Sequence, residues 1–265
     1  MAAMAEQRVE TRLYVEDDLA EGATLGIGHG QAHYLRSVLR LTRGDRVALF
    51  NGRDGEWRAR LDGLGKGWAS LMVEARRRPQ APEPDLWLVF APIKRARIDF
   101  VAEKATELGV SRLQPALTCY TSVSRVNSDR LAANAREAAE QCRRLSVPEV
   151  LPPAELFALL SDWPSERRLL VCAESGEAPP IAEVLSAARA PNGSEPGPWA
   201  VMTGPEGGYA PTELDALGKL PFATFVGLGP RILRADTAAV AALACWQAIL
   251  GDGRERPPSQ TAKEV

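Results

Sequence analysis

The stretch Thr203-Gly204-Pro205-Glu206-Gly207-Gly208-Tyr209, continued by "APTELDAL" to residue 217, and the stretch "GLGPRILRADTAAVAAL" over 227–243 each turn a short apolar run into a helical pattern. In the first, three glycines allow a sharp turn and a close approach of backbone to a ligand, while Pro211 and Glu213 suit a first helical turn. It lacks the Gly-Lys-Ser/Thr ending of a phosphate-cradling loop and is not GxGxxG. It therefore reads either as a tight strand-to-helix connection or as a ligand loop. In the second, Gly227, Gly229 and Pro230 end a strand, Arg231 and Arg234 follow, and Asp236 or Thr237 can cap the long helix. A capped helix start and an anion or cofactor loop both fit that pattern.

Outward from these turns the chain alternates. Apolar strands are expected at 86–92, 168–174, 199–204 and 223–229, and helical patterns at 98–109, 129–144, 154–163, 181–190 and 237–250. This order predicts an α/β domain with a largely parallel sheet covered by helices on both faces, whose ligands sit outside the carboxyl ends of the strands. "PNGSEPGP" (191–198) reads as a surface loop and the residues after 251 as a polar tail.

Upstream, "RRRPQAPEPD" (76–85) holds three prolines in six residues and marks a domain boundary. The expected division is a first domain over 1–78, a linker over 79–85, a second domain over 86–251 and a tail over 252–265. The first domain shows strands at 11–15, 45–52, 56–63 and 68–77, bounded by Gly and Asp. Between them "HYLRSVLRL" places Leu35, Val38, Leu39 and Leu41 on one side at helical spacing, with Arg36 and Arg40 on another. A small β-barrel with a basic helix follows.

Charge is divided along the 265-residue chain. The formal net charge is −2, yet residues 31–80 carry 11 Lys+Arg against 5 Asp+Glu and residues 91–146 carry 10 against 6, while 147 onward carries 9 against 15. Such segments are either chance segregation on solvated faces or the footprint of a polyanionic partner. Cysteines 119, 142, 172 and 245 form no CxxC pair, the N-terminal "MAAMAEQRVE" has no apolar signal core, and no apolar run is long enough to span a bilayer. A reduced cytoplasmic setting without a membrane partner is expected. His29 and His33 are four apart, but no further Cys or His cluster completes a site, so no metal is expected.

The two glycine-rich motifs resemble the signature C-terminal motifs of the SPOUT-superfamily methyltransferases that modify N3 of a uridine in 16S ribosomal RNA. The likeness extends to "HYLRSVLRLTRGDRVALFNG", similar to the family's PUA-like barrel, to "EKATELGV" (103–110), and to "EAAEQCRR" followed by Val147-Pro148. The resemblance implies a trefoil-knotted catalytic domain behind a PUA-like RNA-binding barrel, S-adenosylmethionine as methyl donor, a homodimer through the knotted domain, and the small ribosomal subunit as partner. It implies Thr203, Gly204, Gly208, Leu228, Gly229, Ile232 and Leu233 as cofactor contacts. Two departures stand out. Cys119-Tyr120-Thr121-Ser122 occupies the place of a Glu-Arg-Ser run, so an RNA-contacting arginine is either missing or supplied by Arg125, and Ala235-Asp236 replaces Thr-Glu, a shorter acid.

Uracil N3 carries a proton when neutral and becomes nucleophilic once it is lost. Both histidines lie in the first domain, so the usual neutral-pH base is not expected. Arg234, with Arg231, is expected to stabilise the uridinate, and Glu206 or Glu107 to accept the proton or orient the arginine; otherwise these carboxylates cap helices or pair with arginines. Arg36, Arg40, Arg43, Arg53, Arg125 and Arg144 are the RNA-contact candidates, with Trp57 or Tyr34 either stacking or filling the barrel core. The competing functions are methylation at another rRNA or tRNA position and an RNA-binding assembly factor without chemistry. A nicotinamide oxidoreductase is disfavoured by the missing GxGxxG.

Overall fold

The structure, a computed structural model, describes residues 11–123, 125–173, 178–190 and 195–256. Residues 1–10, 124, 174–177, 191–194 and 257–265, which include the N-terminal segment, the end of the strand expected at 168–174, part of the loop at 191–198 and most of the polar tail, lie outside the described residues. Among the described residues the chain divides into two units, one holding the residues up to Pro82 together with Ala139–Ser146, the other Glu83–Ala138 and residues 147–256.

The first unit contains β1 (Arg12–Tyr14), β2 (Thr24–Ile27), α1 (His29–His33) running into a π-helical turn (Tyr34–Val38), β3 (Arg46–Phe50), β4 (Glu56–Gly65) and β5 (Trp68–Arg78). The sheet order is β1-β3-β4-β5-β2, with β1 parallel to β3 and the other pairs antiparallel. Alternate residues such as Leu49, Leu61 and Leu71 face one core with Leu13 and Leu35, as a period of two requires. Register shifts in the β4–β5 ladder bend the long hairpin.

The basic helix is not the regular one its spacing predicts. Leu39 N–H donates to Tyr34 O and Leu41 N–H to Leu35 O, widening the last turn, and Arg40 ends it in the left-handed conformation at φ 58°. Leu35 and Leu41 are buried while Val38 is 60% exposed, because the widened turn rotates it off the apolar side. Strand β2 is unannounced in the sequence: "TLGI" is short and carries a glycine.

The second unit contains β6 (Leu86–Phe90), α2 (Arg95–Glu107), β7 (Arg112–Leu117), α3 (Ser128–Cys142, its last turn belonging to the first unit), β8 (Glu149–Val150), β9 (Ala154–Glu155), α4 (Leu156–Ser161), β10 (Arg168–Cys172), α5 (Ile181–Ala188), β11 (Trp199–Thr203), α6 (Pro211–Gly218), β12 (Ala223–Val226) and α7 (Ala235–Ile249). All pairs are parallel, in the order β12-β10-β11-β6-β7-β8, with β9 also on β7. Leu88, Leu170 and Val201 face one core with α2, α5 and α7. Their neighbours Val89, Val171 and Met202 face the other with α4 and α6. Both faces are covered, which is why the strands read as continuous apolar runs.

Strand β7 is masked in the strand pattern by Pro115. It is tolerated because β8 pairs Arg112 and Leu113 while β9 pairs Ala116 and Leu117, leaving Pro115 between the two partners. Gln114 bridges that break, its side-chain amide donating to Pro115 O and Pro152 O at 2.9 and 3.0 Å.

Candidate functional site

Three neighbouring parallel strands, β12, β10 and β11, end at Val226, Cys172 and Thr203, and their carboxyl ends open into one cavity of about 840 Å³. The chain order explains its place. β11 inserts between β10 and β6 while β12 goes to the far edge, so successive connections diverge and leave a crevice.

The glycine loop after β11 forms one wall. Gly204 approaches Tyr209 so closely that a Cβ there would lie 3.0 Å from the ring, and Gly208 takes φ 70°. The loop after β12 forms the other wall, with Gly229 at φ 101°. All seven expected cofactor residues, Thr203, Gly204, Gly208, Leu228, Gly229, Ile232 and Leu233, line this cavity, together with Glu206, Arg231 and Arg234. The last three are exposed, and Ile232 is 81% exposed.

The terminal helix starts differently from expectation. Arg234 itself is the N-cap residue of α7, with extended backbone and no side-chain cap bond. Asp236 and Thr237 are inside the first turn, where Asp236 lies 3.7 Å from Arg97 and accepts the Thr237 N–H. The connection thus delivers to the cavity an arginine whose side chain makes no cap bond.

Glu107 is not brought to the cavity. α2 runs back from β6, so its last turn lies at the amino ends of the strands, near Ser111, whose N–H donates to Leu86 O. There Glu107 pairs with Lys104 at 2.8 Å. Glu206 is the remaining carboxylate of the two expected at the reacting base.

Two cavity residues carry displaced proton affinities. Burial pushes the Cys172 thiol up to about 12, with Cys245 adding to it, so it is no thiolate at neutral pH. Burial raises Tyr209 well above the usual phenol range, with Cys172 and Glu213 adding to it, so the phenol keeps its proton. Its hydroxyl is buried with no hydrogen-bond partner among the described residues. Tyr209 closes the quoted glycine stretch and Cys172 is one of the four cysteines, but the sequence reading gives neither a role; a strand's last residue and an aromatic after a Gly-Gly pair are the available signals.

Among the RNA-contact candidates, Arg36, Arg40 and Arg125 are exposed. Arg43 pairs loosely with Asp62 at 3.4 Å, Arg53 is held by Asp18 at 2.8 Å and by Glu16 O, and Arg144 donates to Ser146 Oγ at 2.9 Å. Trp57 donates to Asp54 O and, like Tyr34, packs against the first core, the duller of its two readings. The exposed aromatic of that unit is Trp68, 54% exposed. The imidazoles of His29 and His33 lie parallel with centroids 6.4 Å apart, and among the described residues no group of three His, Cys, Asp or Glu could hold a metal. No helix among them is long and apolar enough to cross a membrane.

Comparison with known proteins places these features together. Residues 80–247 match the model of an RNA methyltransferase domain and residues 28–68 that of an RNA methyltransferase PUA domain. The chain is 31% identical over 88% of its length to the ribosomal RNA small subunit methyltransferase E of Rickettsia conorii, covering 93% of that protein. It is 33% identical over 90% of its length to the protein of that name from Synechocystis sp., covering 78% of it. A crystal structure of ribosomal RNA small subunit methyltransferase E from Neisseria gonorrhoeae, bound to S-adenosyl methionine, superposes with TM-score 0.81 at 28% identity, over 91% of this chain and 98% of that one.

Proposed function

The chain belongs to the RNA methyltransferase family whose catalytic domain follows a PUA domain, an S-adenosylmethionine-dependent rRNA methyltransferase, and from that premise we propose that it methylates N3 of one uridine in 16S rRNA of the small ribosomal subunit. The observation that carries this reading is the single cavity that gathers both glycine turns, two arginines and one carboxylate. We further propose that the protein acts in the cytoplasm as a homodimer through the second unit, with the segment from β12 to α7 forming the trefoil knot implied by its motifs.

The cavity fits the methyl donor. Its volume of about 840 Å³ lies within the roughly 300–1,000 Å³ of small-molecule sites. Leu228, Ile232 and Leu233 supply apolar surface, Gly204 and Gly208 let backbone approach closely, Glu206 offers an opposite charge to a sulfonium, and the buried Tyr209 hydroxyl supplies a polar group awaiting a partner. Bound there, the cofactor supplies an electrophilic methyl group.

The chain's own residues prepare the acceptor. Arg234, held at the entrance of α7, and Arg231 donate hydrogen bonds to the carbonyl oxygens flanking N3. Each such charge-assisted bond is worth about 1.5–3 kcal/mol, and about 1.4 kcal/mol shifts a pKa by one unit, so two arginines lower the imide pKa by a few units. Glu206 accepts the proton or orients an arginine. Positioning supplies much of the remaining rate. Extracting a stacked base costs a few kcal/mol, which backbone contacts from Arg36, Arg40, Arg43 and Arg125 offset. Incubating the protein and labelled cofactor with undermodified small subunits, and separately with naked RNA, tests the substrate: label in N3-methyluridine supports the reading, and label in a ribose or another base contradicts it.

A further inference from the structure

The turn after β7 lies beside the cavity without belonging to either glycine motif. It is closed on itself: Thr121 N–H donates to Thr118 O at 3.0 Å, Thr118 N–H donates to Thr121 Oγ1 at 2.9 Å, and the two hydroxyls are 2.8 Å apart. It is also fastened to the glycine loop. Cys119 N–H donates to Glu213 Oε1 at 2.8 Å while Oε2 of the same carboxylate accepts the Ala210 N–H at 2.8 Å. Glu213 is only 2% exposed, so both backbone donors depend on it in a place shielded from water. A Cβ on Gly207, which lines the cavity, would lie 3.2 Å from Tyr120 Cβ.

Despite this anchoring, Tyr120 remains 49% exposed. A large aromatic side chain ordinarily contributes by burial, and the energetic return on an ordered but open ring comes when something covers it. Backbone anchoring on both sides leaves only two side-chain torsions free, so little entropy is lost when a planar partner arrives. We propose that Tyr120 is the platform on which the target base, or the base next to it, stacks as it enters the cavity, and that Glu213 is the positioning residue that holds this platform to the cofactor-side loop. The proposal rests on the reading that the substrate is an RNA uridine. Stacking recovers part of what is lost when a base leaves its helix, and it needs the ring face and not the hydroxyl.

The test uses the full chain with undermodified small subunits. Tyr120→Ala is expected to lower kcat/KM for subunits by about tenfold or more, the order of one base–aromatic stack, with cofactor affinity within about twofold of wild type. Tyr120→Phe should keep most of the activity. A purely structural role is separated by an RNA carrying an abasic nucleotide in place of the target and its neighbour: wild type and Tyr120→Ala should bind it equally. Activity of Tyr120→Ala within about twofold of wild type, a Tyr120→Phe loss as large as that of alanine, or a binding deficit that persists on the abasic RNA overturns the platform. Absence of methyl transfer by wild type would instead contradict the underlying function.

Discussion

Arg234 combines two roles that usually fall to different residues, since it both starts α7 and faces the cavity. If its guanidinium stabilises the uridinate, Arg234→Ala should reduce kcat about 10- to 100-fold, the size of one charge-assisted hydrogen bond, with cofactor affinity preserved. Single-turnover kinetics beside calorimetric cofactor titration checks this, and near-normal turnover would remove Arg234 from the mechanism. Gly229, at φ 101° with open space around its α-carbon, makes a separate point. Gly229→Ala should cost roughly 1–2 kcal/mol through backbone strain and weaken cofactor binding, whereas Gly22→Ala, at φ 80° in equally open space and away from the cavity, should cost stability alone. Equal cofactor affinity in both variants would mean the loop's conformation does not shape the site. At this scale the motif residues were legible because glycine, proline and arginine have backbone and charge properties readable in sequence. Glu107 misled because helix direction, not spacing, decides which end of the sheet a residue reaches. Tyr120 was legible only as part of the departure from the Glu-Arg-Ser run, and the second hydrogen bond of Glu213 was not legible, since Cys119 and Glu213 are 94 positions apart with no local signal linking them.

Strands and helices rest on fewer surprises, and the exceptions have physical causes. β7 hides behind Pro115, β2 is short, and the π-helical turn cannot be told from an α-helix by apolar spacing. The first unit also holds an arrangement no pattern announces. Arg12 donates to the carbonyls of Ala139, Glu140 and Arg144 at the end of α3, satisfying groups a helix end leaves open, and Glu56 holds Arg12 and Arg78 at 2.7 and 2.9 Å. Burial alone would raise the Glu56 carboxyl, but the two guanidinium groups more than offset it and hold it below the usual carboxylate range. Burial draws Arg12 below its own usual value, yet a guanidinium stays charged. The stabilisation from Glu56 is therefore fully present above its unfolded pKa of about 4.3 and is lost as pH falls through the lower folded value. Glu56→Gln should destabilise by about 3–5 kcal/mol at pH 7, as removal of one partner of a buried pair does, and urea titrations from pH 7 to pH 3 should show the gap to wild type closing. A gap independent of pH would mean the carboxylate's charge is not what matters.

For the molecule as a whole, a net charge of −2 conceals a basic segment over 31–80 and an acidic one beyond 147. Arg36 and Arg40 are exposed residues of the basic segment available to phosphates, and Arg43 is only loosely engaged. Reversing Arg36 and Arg40 to Glu should weaken RNA binding and lower the slope of log affinity against log salt by about 1 per lost phosphate contact, with cofactor affinity unchanged. An unaltered salt slope would move the RNA footprint elsewhere. The central claim, that this chain places one methyl group on uridine N3 of 16S rRNA, is tested most directly by nucleoside mass spectrometry of small-subunit RNA from a host lacking its own enzyme and complemented with this chain. N3-methyluridine returning with wild type and not with Arg234→Ala is the predicted result. Its absence with a well-expressed wild type, or a methyl group on another nucleoside, would contradict the account.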